Sequence, residues 1–259
     1  QGMGEPTLGQ CYVEMIEHAR SKYIWVRSTT NASMLHLRDN YKRIIDADVC
    51  ELQVSIDGAT TETYEKIRLG GKFKRVSENC QLLNQYCRDV GRMRTRMWVV
   101  VQKDNVDELE KFAPLAAELG FDRVTLSLDL NDWGQEHWRE TNDLVDVHRE
   151  LDRARLESLV APGEKQDVGV TFWVIDEKYG TDQPDKLCPW PFERGYVSSD
   201  MRFVPCCLIA NPDVSDLGDA RQLVQVWNGE KMAAFRRDHL KGNIPEICLS
   251  CYKNPSNDN

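Results

Sequence analysis

Over roughly its first 170 residues the sequence alternates between short strand-like runs and longer helix-like segments. The strand-like runs lie at residues 23–27, 51–56, 94–101, 124–128 and 168–175. The helix-like segments lie at residues 11–22, 34–45, 61–69, 74–90, 106–119 and 142–159. This alternation predicts βα units around a parallel sheet. The number of repeats favours an α/β fold of the (β/α) barrel type, whole or partial.

Polar residues follow four of the predicted strands. They lie at residues 28–31, 55–58, 102–105 and 129–131. In a parallel barrel the chemistry is found at the carboxyl ends of the strands, so these residues are candidates for a site. Exposed loops are also polar for no functional reason, and that simpler interpretation stays open for each group taken alone.

The composition changes after about residue 178, which predicts a domain boundary. Gly180, Pro184, Pro189 and Pro191 fall close together and are typical of an irregular entry segment. Two short β-rich runs around a polar turn at 196–205 predict a hairpin, and residues 222–240 have a helical pattern. We therefore expect a barrel domain over residues 1–178 and a small domain over residues 179–259.

Five of the nine cysteines lie in this second region. Cys248 and Cys251 form a Cys-x2-Cys pair, and Cys188 and Cys206 flank the predicted hairpin. Four thiolates suit either tetrahedral zinc or a cubane iron–sulfur cluster, and buried free thiols are the remaining alternative. Metal or cluster binding is the favoured interpretation, because a long globular chain has little need of disulfides.

The other cysteines are interpreted as structural. Cys207 directly follows Cys206, and neighbours on a strand point to opposite faces, so Cys207 is expected in the core. The four cysteines of the first domain are expected to be structural thiols: Cys11, Cys50, Cys80 and Cys87.

Charge and hydropathy exclude several classes of protein. The net charge of −9 argues against nucleic acid as the main partner. No apolar run approaches the roughly 18 residues needed to cross a bilayer, so no membrane partner is expected. Residues 1–10 lack the features of a signal peptide, and a cytoplasmic location is expected.

Several motifs in sequential order resemble those of radical S-adenosylmethionine (radical SAM) enzymes. Gly4, Glu5 and Pro6 resemble the Gly-Gly-Glu-Pro segment of that family, with Met3 in place of its first glycine. Thr30-Asn31-Ala32 resembles the family's Thr-Asn-Gly. Residues 54–58, with 64–68 after them, resemble its next strand and helix. The resemblance implies a partial (β/α)6 barrel that binds SAM and a catalytic 4Fe–4S cluster.

The second region resembles the auxiliary-cluster domain of the same family, called SPASM or, in its shorter form, twitch. The matching segments are residues 188–191, 204–207, 226–229 and 248–251. The resemblance implies that Cys188, Cys206, Cys248 and Cys251 bind one auxiliary 4Fe–4S cluster. The family often has glycine five residues before the second ligand; Met201 stands there, so a different hairpin turn is expected.

The resemblance also implies roles for residues of the barrel. Glu5 would accept the amine of the methionyl part of SAM. Other residues would belong to the cofactor pocket or lie close to it: Gly4, Pro6, Thr30, Asn31, Ser55, Asp57, Gln102 and Asn105.

The Cys-x3-Cys-x2-Cys motif that binds the catalytic cluster in this family does not occur in the sequence. We expect that the sequence begins after the first barrel strand and that the ligands of the catalytic cluster lie outside it. The alternative is a degenerate homologue that binds a cluster without catalysis.

For an intact enzyme the resemblance implies that a 5′-deoxyadenosyl radical abstracts hydrogen from a small-molecule substrate. Oxidation or epimerisation of a sugar or aminocyclitol is the first expectation, with Cys207 as a hydrogen donor if the enzyme is an epimerase. Modification of a peptide is the alternative. A reductant such as flavodoxin or ferredoxin is an expected partner. Trp133, His137 and Trp138 are weaker candidates for a substrate pocket.

Overall fold

The computed structural model describes residues 4–128, 151–174 and 178–252. The described residues fall into two compact units, one with residues 4–128 and 151–173, the other with residue 174 and residues 178–252. They contain no helix that is both long and apolar enough to cross a membrane. The predictions for residues 129–150, which include Trp133, His137 and Trp138, lie outside the described residues.

The first unit is built on a parallel sheet of five strands in sequential order. The strands are β1 Arg27–Thr30, β2 Glu51–Ser55, β3 Thr95–Val100, β4 Arg123–Ser127 and β5 Gly169–Trp173. Its helices are α1 Tyr12–Ser21, α2 Asn40–Asp46, α3 Thr61–Ile67, α4 Phe73–Asp89, α5 Phe112–Glu118 and α6 Arg153–Glu164. Each pair of neighbouring strands is parallel and is connected through at least one helix. The expected α/β fold of the partial-barrel type is confirmed.

The two faces of this sheet differ in chemistry because successive side chains of a strand point to opposite sides. Val54, Val99 and Leu126 lie on one face and are at most 1% exposed. The opposite face is polar: Glu51 pairs with Arg27 at 2.8 Å and with Arg96 at 2.6 Å. A parallel sheet between two helical layers would be apolar on both faces. A barrel that encloses a binding cavity needs a polar interior wall, and the polar face of this sheet meets that requirement.

Several predicted elements of this unit are wrong in extent. The predicted helix at 34–45 is α2 Asn40–Asp46, preceded by a 3-10 segment, Leu37–Asp39. The run at residues 23–27 contributes only Arg27 to a strand, because Tyr23 has a φ of 59° and turns the chain before it. The predicted helix at 106–119 begins as a 3-10 segment, Val106–Lys111, before α5. Pro114 explains this, since it has no N–H to donate within a longer α-helix. Gly120 has a φ of 84° directly after α5, as expected for a helix end.

The second unit contains a three-stranded antiparallel sheet and three helices among its described residues. Its strands are β6 Tyr196–Val197, β7 Arg202–Val204 and β8 Gly218–Asp219. Its helices are α7 Trp190–Glu193, α8 Leu223–Asn228 and α9 Glu230–Leu240. The predicted hairpin is confirmed as β6–β7. The predicted helix at 222–240 is in fact two helices, separated at Gly229.

The hairpin turn requires an unusual backbone conformation at the position where the related domains often have glycine. Met201 has a φ of 66°, in the left-handed region that favours glycine. Its side chain packs against a small core of Phe203, Ala220 and Met232. The turn therefore keeps the glycine-type conformation, and the expectation of a different turn is wrong. Packing of the methionine side chain offsets the backbone strain.

Candidate functional site

In the first unit, the Glu5 carboxylate lies at the carboxyl end of β1. Its Oε1 accepts hydrogen bonds from the hydroxyls of Thr7 (2.6 Å) and Thr30 (2.7 Å). Its Oε2 accepts one from the Asn31 N–H at 2.7 Å. The structure therefore brings Glu5 into contact with Thr30 and Asn31, which follow it by 25 and 26 positions in the sequence. Pro6 starts the 3-10 turn that Glu5 caps, which fixes the carboxylate at this edge.

This carboxylate retains capacity for a ligand. Each carboxylate oxygen can accept about two hydrogen bonds, and one bond to Oε2 is described. Gly4 has a φ of 114°, and no described atom lies within 4 Å of the place where a Cβ would stand. A charged acceptor beside open backbone fits the amine of a small cofactor such as SAM. Glu5 and Gly4 are therefore the residues of this edge whose geometry suits the predicted role.

Asp57 and Asn105 are buried and make their hydrogen bonds within the protein. Asp57 Oδ1 accepts from the Val100 N–H at 2.8 Å, and its other oxygen contacts the Arg68 guanidinium. The Asn105 amide donates to the carbonyls of Asp57 (2.8 Å) and Val100 (2.9 Å). Its oxygen accepts from the Gln102 N–H at 2.8 Å. These bonds join the loops after β2 and β3, so we assign both side chains a positioning role at this edge.

Ser55 and Glu108 complete the description of this edge. Ser55 is half-buried and ends β2 opposite Trp98 of β3. Glu108 is 7% exposed, and its carboxylate accepts from the Ala59 N–H and the Thr60 hydroxyl, each at 2.9 Å. Burial raises the pKa of Glu108, but these donors outweigh burial and hold the pKa below its usual value. An ionised carboxylate therefore holds the start of α3 beneath the loop after β2.

In the second unit, four cysteines line one cavity of about 590 Å³. They are the four predicted ligands, Cys188, Cys206, Cys248 and Cys251. Cys248 and Cys251 lie on a 3-10 turn, Glu246–Cys251, in which residues three apart share a face. Burial raises the pKa of Cys188, and it raises the pKa of Cys248 to about 12. Thiols held neutral by burial become good ligands once iron supplies the compensating charge.

The arrangement favours a cluster over a single zinc ion. Among the described residues, no group of three His, Cys, Asp or Glu side chains could hold a metal ion. Tetrahedral zinc would require four sulfurs roughly 4 Å apart around one atom. In a cubane cluster each thiolate binds a different iron, so the four sulfurs stand further apart. Four thiols around a roomy cavity therefore fit a 4Fe–4S cluster.

The prediction for Cys207 rests on two statements that the structure contradicts. Cys207 lies in a 3-10 turn, Cys207–Ile209, and not on a strand, and it is half-buried rather than in the core. A hydrogen bond with the Cys206 thiol lowers the pKa of Cys207 and raises that of Cys206. The residues that line the cavity include Cys206 and Leu208 but not Cys207. A hydrogen-donor role for Cys207 stays an untested prediction.

Of the four cysteines expected to be structural, Cys80 and Cys87 are fully buried on α4. Cys50 is half-buried and its sulfur accepts from the Val26 N–H at 3.4 Å, whereas Cys11 is exposed. The expectation of packing is therefore wrong for Cys11.

Three residues around the cysteine-lined cavity were not predicted from the sequence. The Tyr252 hydroxyl accepts from the Cys188 N–H at 3.0 Å, and the Tyr179 N–H donates to the Cys251 carbonyl at 2.9 Å. His239 is 1% exposed and lines the cavity, with Nδ1 2.9 Å from the Phe235 carbonyl. Only the position of Tyr252 next to Cys251 could have drawn attention to it, because Tyr179 and His239 lie far from the cysteines in sequence.

A parallel α/β sheet with a carboxylate held at its carboxyl edge, followed in the same chain by a cysteine-lined cavity, is typical of iron–sulfur enzymes. Comparison with known proteins gives the family. Residues 1–116 match the radical SAM superfamily, and residues 188–252 match the SPASM iron–sulfur cluster-binding domain. The chain therefore contains a radical SAM domain followed by a SPASM domain. Its cofactors are therefore SAM, a 4Fe–4S cluster and an auxiliary iron–sulfur cluster.

The relatives of this chain include proteins with different substrates. The mycofactocin maturase MftC of Mycolicibacterium smegmatis is 27% identical over 172 residues, which are 66% of this chain and 42% of the relative. A probable GTP 3′,8-cyclase of Saccharolobus solfataricus is 26% identical over 159 residues, which are 61% of this chain and 50% of the relative. The matches thus span half or less of the length of these relatives.

One solved structure supports the fold. It is that of Streptococcus suis SuiB bound to the precursor peptide SuiA, with a TM-score of 0.63 and 15% sequence identity. The likeness covers 96% of this chain and 57% of that one. At this identity the likeness concerns the fold alone, and it agrees with the partial barrel and the smaller unit described above.

Proposed function

We propose that this chain belongs to a radical SAM enzyme that modifies a peptide. The observation that carries the proposal is the match to a mycofactocin maturase over two thirds of the chain. The fold of a protein solved with its precursor peptide agrees with it. This proposal corresponds to the alternative predicted from the sequence, rather than to the first expectation of a sugar or aminocyclitol.

When bound, SAM and its cluster supply the 5′-deoxyadenosyl radical that removes hydrogen from the substrate. The residues of this chain hold and orient the cofactor and substrate. Glu5 would accept the amine of SAM, with Gly4 leaving space for its approach. The loops joined by Asp57 and Asn105 would form the adjacent wall. The auxiliary cluster would be bound by Cys188, Cys206, Cys248 and Cys251. The proposal keeps the predicted domain limits of 1–178 and 179–259.

A small-molecule substrate is the second candidate. The match to a probable GTP 3′,8-cyclase over 159 residues supports it. The cysteine pattern of the second unit, with one Cys-x2-Cys pair, was the reason for expecting an aminocyclitol. Dehydrogenase and epimerase chemistry, a flavodoxin or ferredoxin as reductant and a cytoplasmic location remain predictions from the sequence.

The test uses the protein encoded by the whole gene under anaerobic conditions and compares its activity on different substrates. The protein is reconstituted with iron and sulfide, then incubated with SAM, dithionite and either a small peptide encoded beside its gene or a panel of aminocyclitols and GTP. We expect the peptide to raise 5′-deoxyadenosine formation at least tenfold above the level without substrate. If the small molecules raise 5′-deoxyadenosine formation and the peptide does not, the peptide proposal is contradicted. No 5′-deoxyadenosine under any condition would support the non-catalytic alternative.

Iron analysis tests the cluster ligands separately from the reaction. Cys251→Ala should remove about four irons per chain, the content of one cubane cluster, and leave the cleavage of SAM measurable. Cys87→Ala is the matched control, because Cys87 is a buried thiol of α4 in the other unit. Equal iron in both variants, or bound zinc in place of iron, would overturn the assignment.

A further inference from the structure

Two tryptophans meet on the polar face of the five-stranded sheet, which is the face that suits the interior of the barrel. Trp98 lies on β3 two residues after Arg96, and side chains two residues apart on a strand share a face. In the parallel register Trp98 stands opposite Thr125 of β4, and Trp173 at the end of β5 stands opposite Ser127 of β4. The two ring centroids are 5.7 Å apart, with the ring planes at 60°. The pair therefore spans β4 in the carboxyl half of the sheet.

Both rings are more accessible than the core residues beside them. Trp98 is half-buried, whereas Met97 and Val99, which point to the other face of β3, are fully buried. Trp173 is 36% exposed. Along β5 the residues of the polar face are exposed and those of the opposite face are half-buried. Accessible aromatic surface on the interior wall of a barrel is typical of a ligand site.

The pair lies on the same wall as residues predicted to hold SAM. Ser55, which ends β2, stands opposite Trp98 in the register of β2 and β3. The Glu5 carboxylate is held by Thr30 at the carboxyl end of β1, the strand on the other side of β2. A group bound by the tryptophans would therefore share this wall with the predicted cofactor residues.

The charges of this face decide which kind of group the tryptophans can bind. The face of a tryptophan ring attracts both aromatic rings and cations. Among the described strand residues of this face, three positive charges accompany one negative charge: Arg27, Arg96, Arg123 and Glu51. Glu51 pairs with Arg27 at 2.8 Å and with Arg96 at 2.6 Å. A basic side chain of a substrate would meet an excess of positive charge here, whereas a neutral aromatic ring would not.

We propose that Trp98 and Trp173 bind an aromatic side chain of the peptide substrate and select it over aliphatic and basic side chains. The proposal rests on the proposed peptide function and names the kind of residue that the peptide brings to this wall. Aromatic rings prefer offset or edge-to-face contacts, and a third ring can join the pair in either way. Tryptophan also provides a large contact area at a low cost in conformational entropy.

The test measures binding by fluorine NMR of the reconstituted protein labelled with 5-fluorotryptophan, and it needs no reaction. The resonances of the pair are assigned by their loss in Trp98→Phe and Trp173→Phe. The probes are N-acetyl-tyrosinamide, N-acetyl-leucinamide and N-acetyl-lysinamide. We expect the tyrosine probe to shift both resonances and to bind at least fivefold more tightly than the other two. The resonance of Trp25, which is 58% exposed and precedes β1 at the amino end of the sheet, should not move.

Substitution of the more exposed ring tests the same contact in a second way. Trp173→Leu keeps an apolar side chain without a ring and should raise the Kd of the tyrosine probe at least fivefold. Trp173→Phe should restore part of the affinity, and Trp25→Leu, the matched control, should leave the Kd unchanged. If Trp98→Phe does not fold, the Trp173 resonance and these variants carry the test by themselves.

The outcomes separate this proposal from the proposed function. Equal binding of the three probes, or no shift of the two resonances, overturns the proposal. Tighter binding of guanosine than of the tyrosine probe overturns it as well, because the pair would then hold a nucleobase. If the tyrosine probe binds as expected but the peptide does not raise 5′-deoxyadenosine formation, the proposed function fails and the preference for an aromatic group stands.

Discussion

The fully buried Asn105 amide offers the sharpest test of how the carboxyl edge of the sheet is held together. It makes three hydrogen bonds of 2.8–2.9 Å to main-chain groups in the loops after β2 and β3. Asn105→Ala removes all three and leaves two carbonyls and one N–H without this partner. The substitution therefore tests how the two loops are positioned and does not remove a contact with a ligand.

The expected loss follows from these bonds. A net contribution of about 1 kcal/mol for each hydrogen bond gives about 3 kcal/mol for the three. That cost lowers the folded-to-unfolded ratio more than a hundredfold at 25 °C. Gln85→Ala is the control, because Gln85 is an exposed residue of α4 whose amide bonds to the exposed side chains of Asp89 and Arg88. Its substitution should change the free energy of unfolding by less than about 0.5 kcal/mol.

Urea denaturation without SAM measures both variants, and hydrogen exchange localises the effect to residues 100–105. A cost below about 1 kcal/mol for Asn105→Ala, with normal exchange in these residues, would refute the positioning role. The cofactor role predicted from the sequence has a different signature. In that case Asn105→Ala would weaken SAM binding in a protein of normal stability.

Three further changes test other parts of the molecule. Glu5→Gln should raise the Kd for SAM at least tenfold in equilibrium dialysis while the urea midpoint moves little; an unchanged Kd would contradict the role of Glu5. Glu108→Gln should cost about 1–2 kcal/mol at pH 7, because an ionised acceptor is lost. The pKa of Glu108 is lowered in the folded protein, so its contribution is complete above the ordinary value near 4.3 and is lost as pH falls through the folded value. The two proteins should therefore converge in stability once the pH has fallen below the folded pKa of Glu108, and a constant difference in urea titrations would contradict this. Gly58→Ala should cost about 3 kcal/mol in the same assay, because a Cβ would stand 2.2 Å from the Tyr64 nitrogen, whereas Gly169→Ala should be tolerated with its nearest contact at 3.7 Å.

The fold could be predicted from the sequence wherever periodicity reflects burial. β2, β3 and β4 alternate between a buried and a polar face, and their predicted limits agree with the structure to within a residue. The predictions were wrong where the backbone conformation of a single residue determines where an element begins. Tyr23 turns the chain before β1 through a positive φ, and nothing in its side chain indicates this.

The candidate site could be predicted where residues of the same type recur at a spacing that suits one ligand. The four cysteines of the cavity are of this kind, and the motif around Glu5 is another. The positioning role assigned to Asn105 could not be predicted, because its partners are main-chain groups that any sequence provides. The contact of Tyr179 with Cys251 was equally hidden, since it joins residues that lie 72 positions apart and only the tertiary structure brings together.

The bridge between Tyr179 and Tyr252 has a consequence for how such a unit can be inherited. It brings together two residues that lie near opposite ends of the described range 178–252. A segment whose ends meet can be inserted into a host protein or removed from it without stretching the host chain. The unit thus has the geometry of a transferable cassette, and grafting residues 179–252 into an exposed loop of an unrelated protein should give a cluster-binding insert.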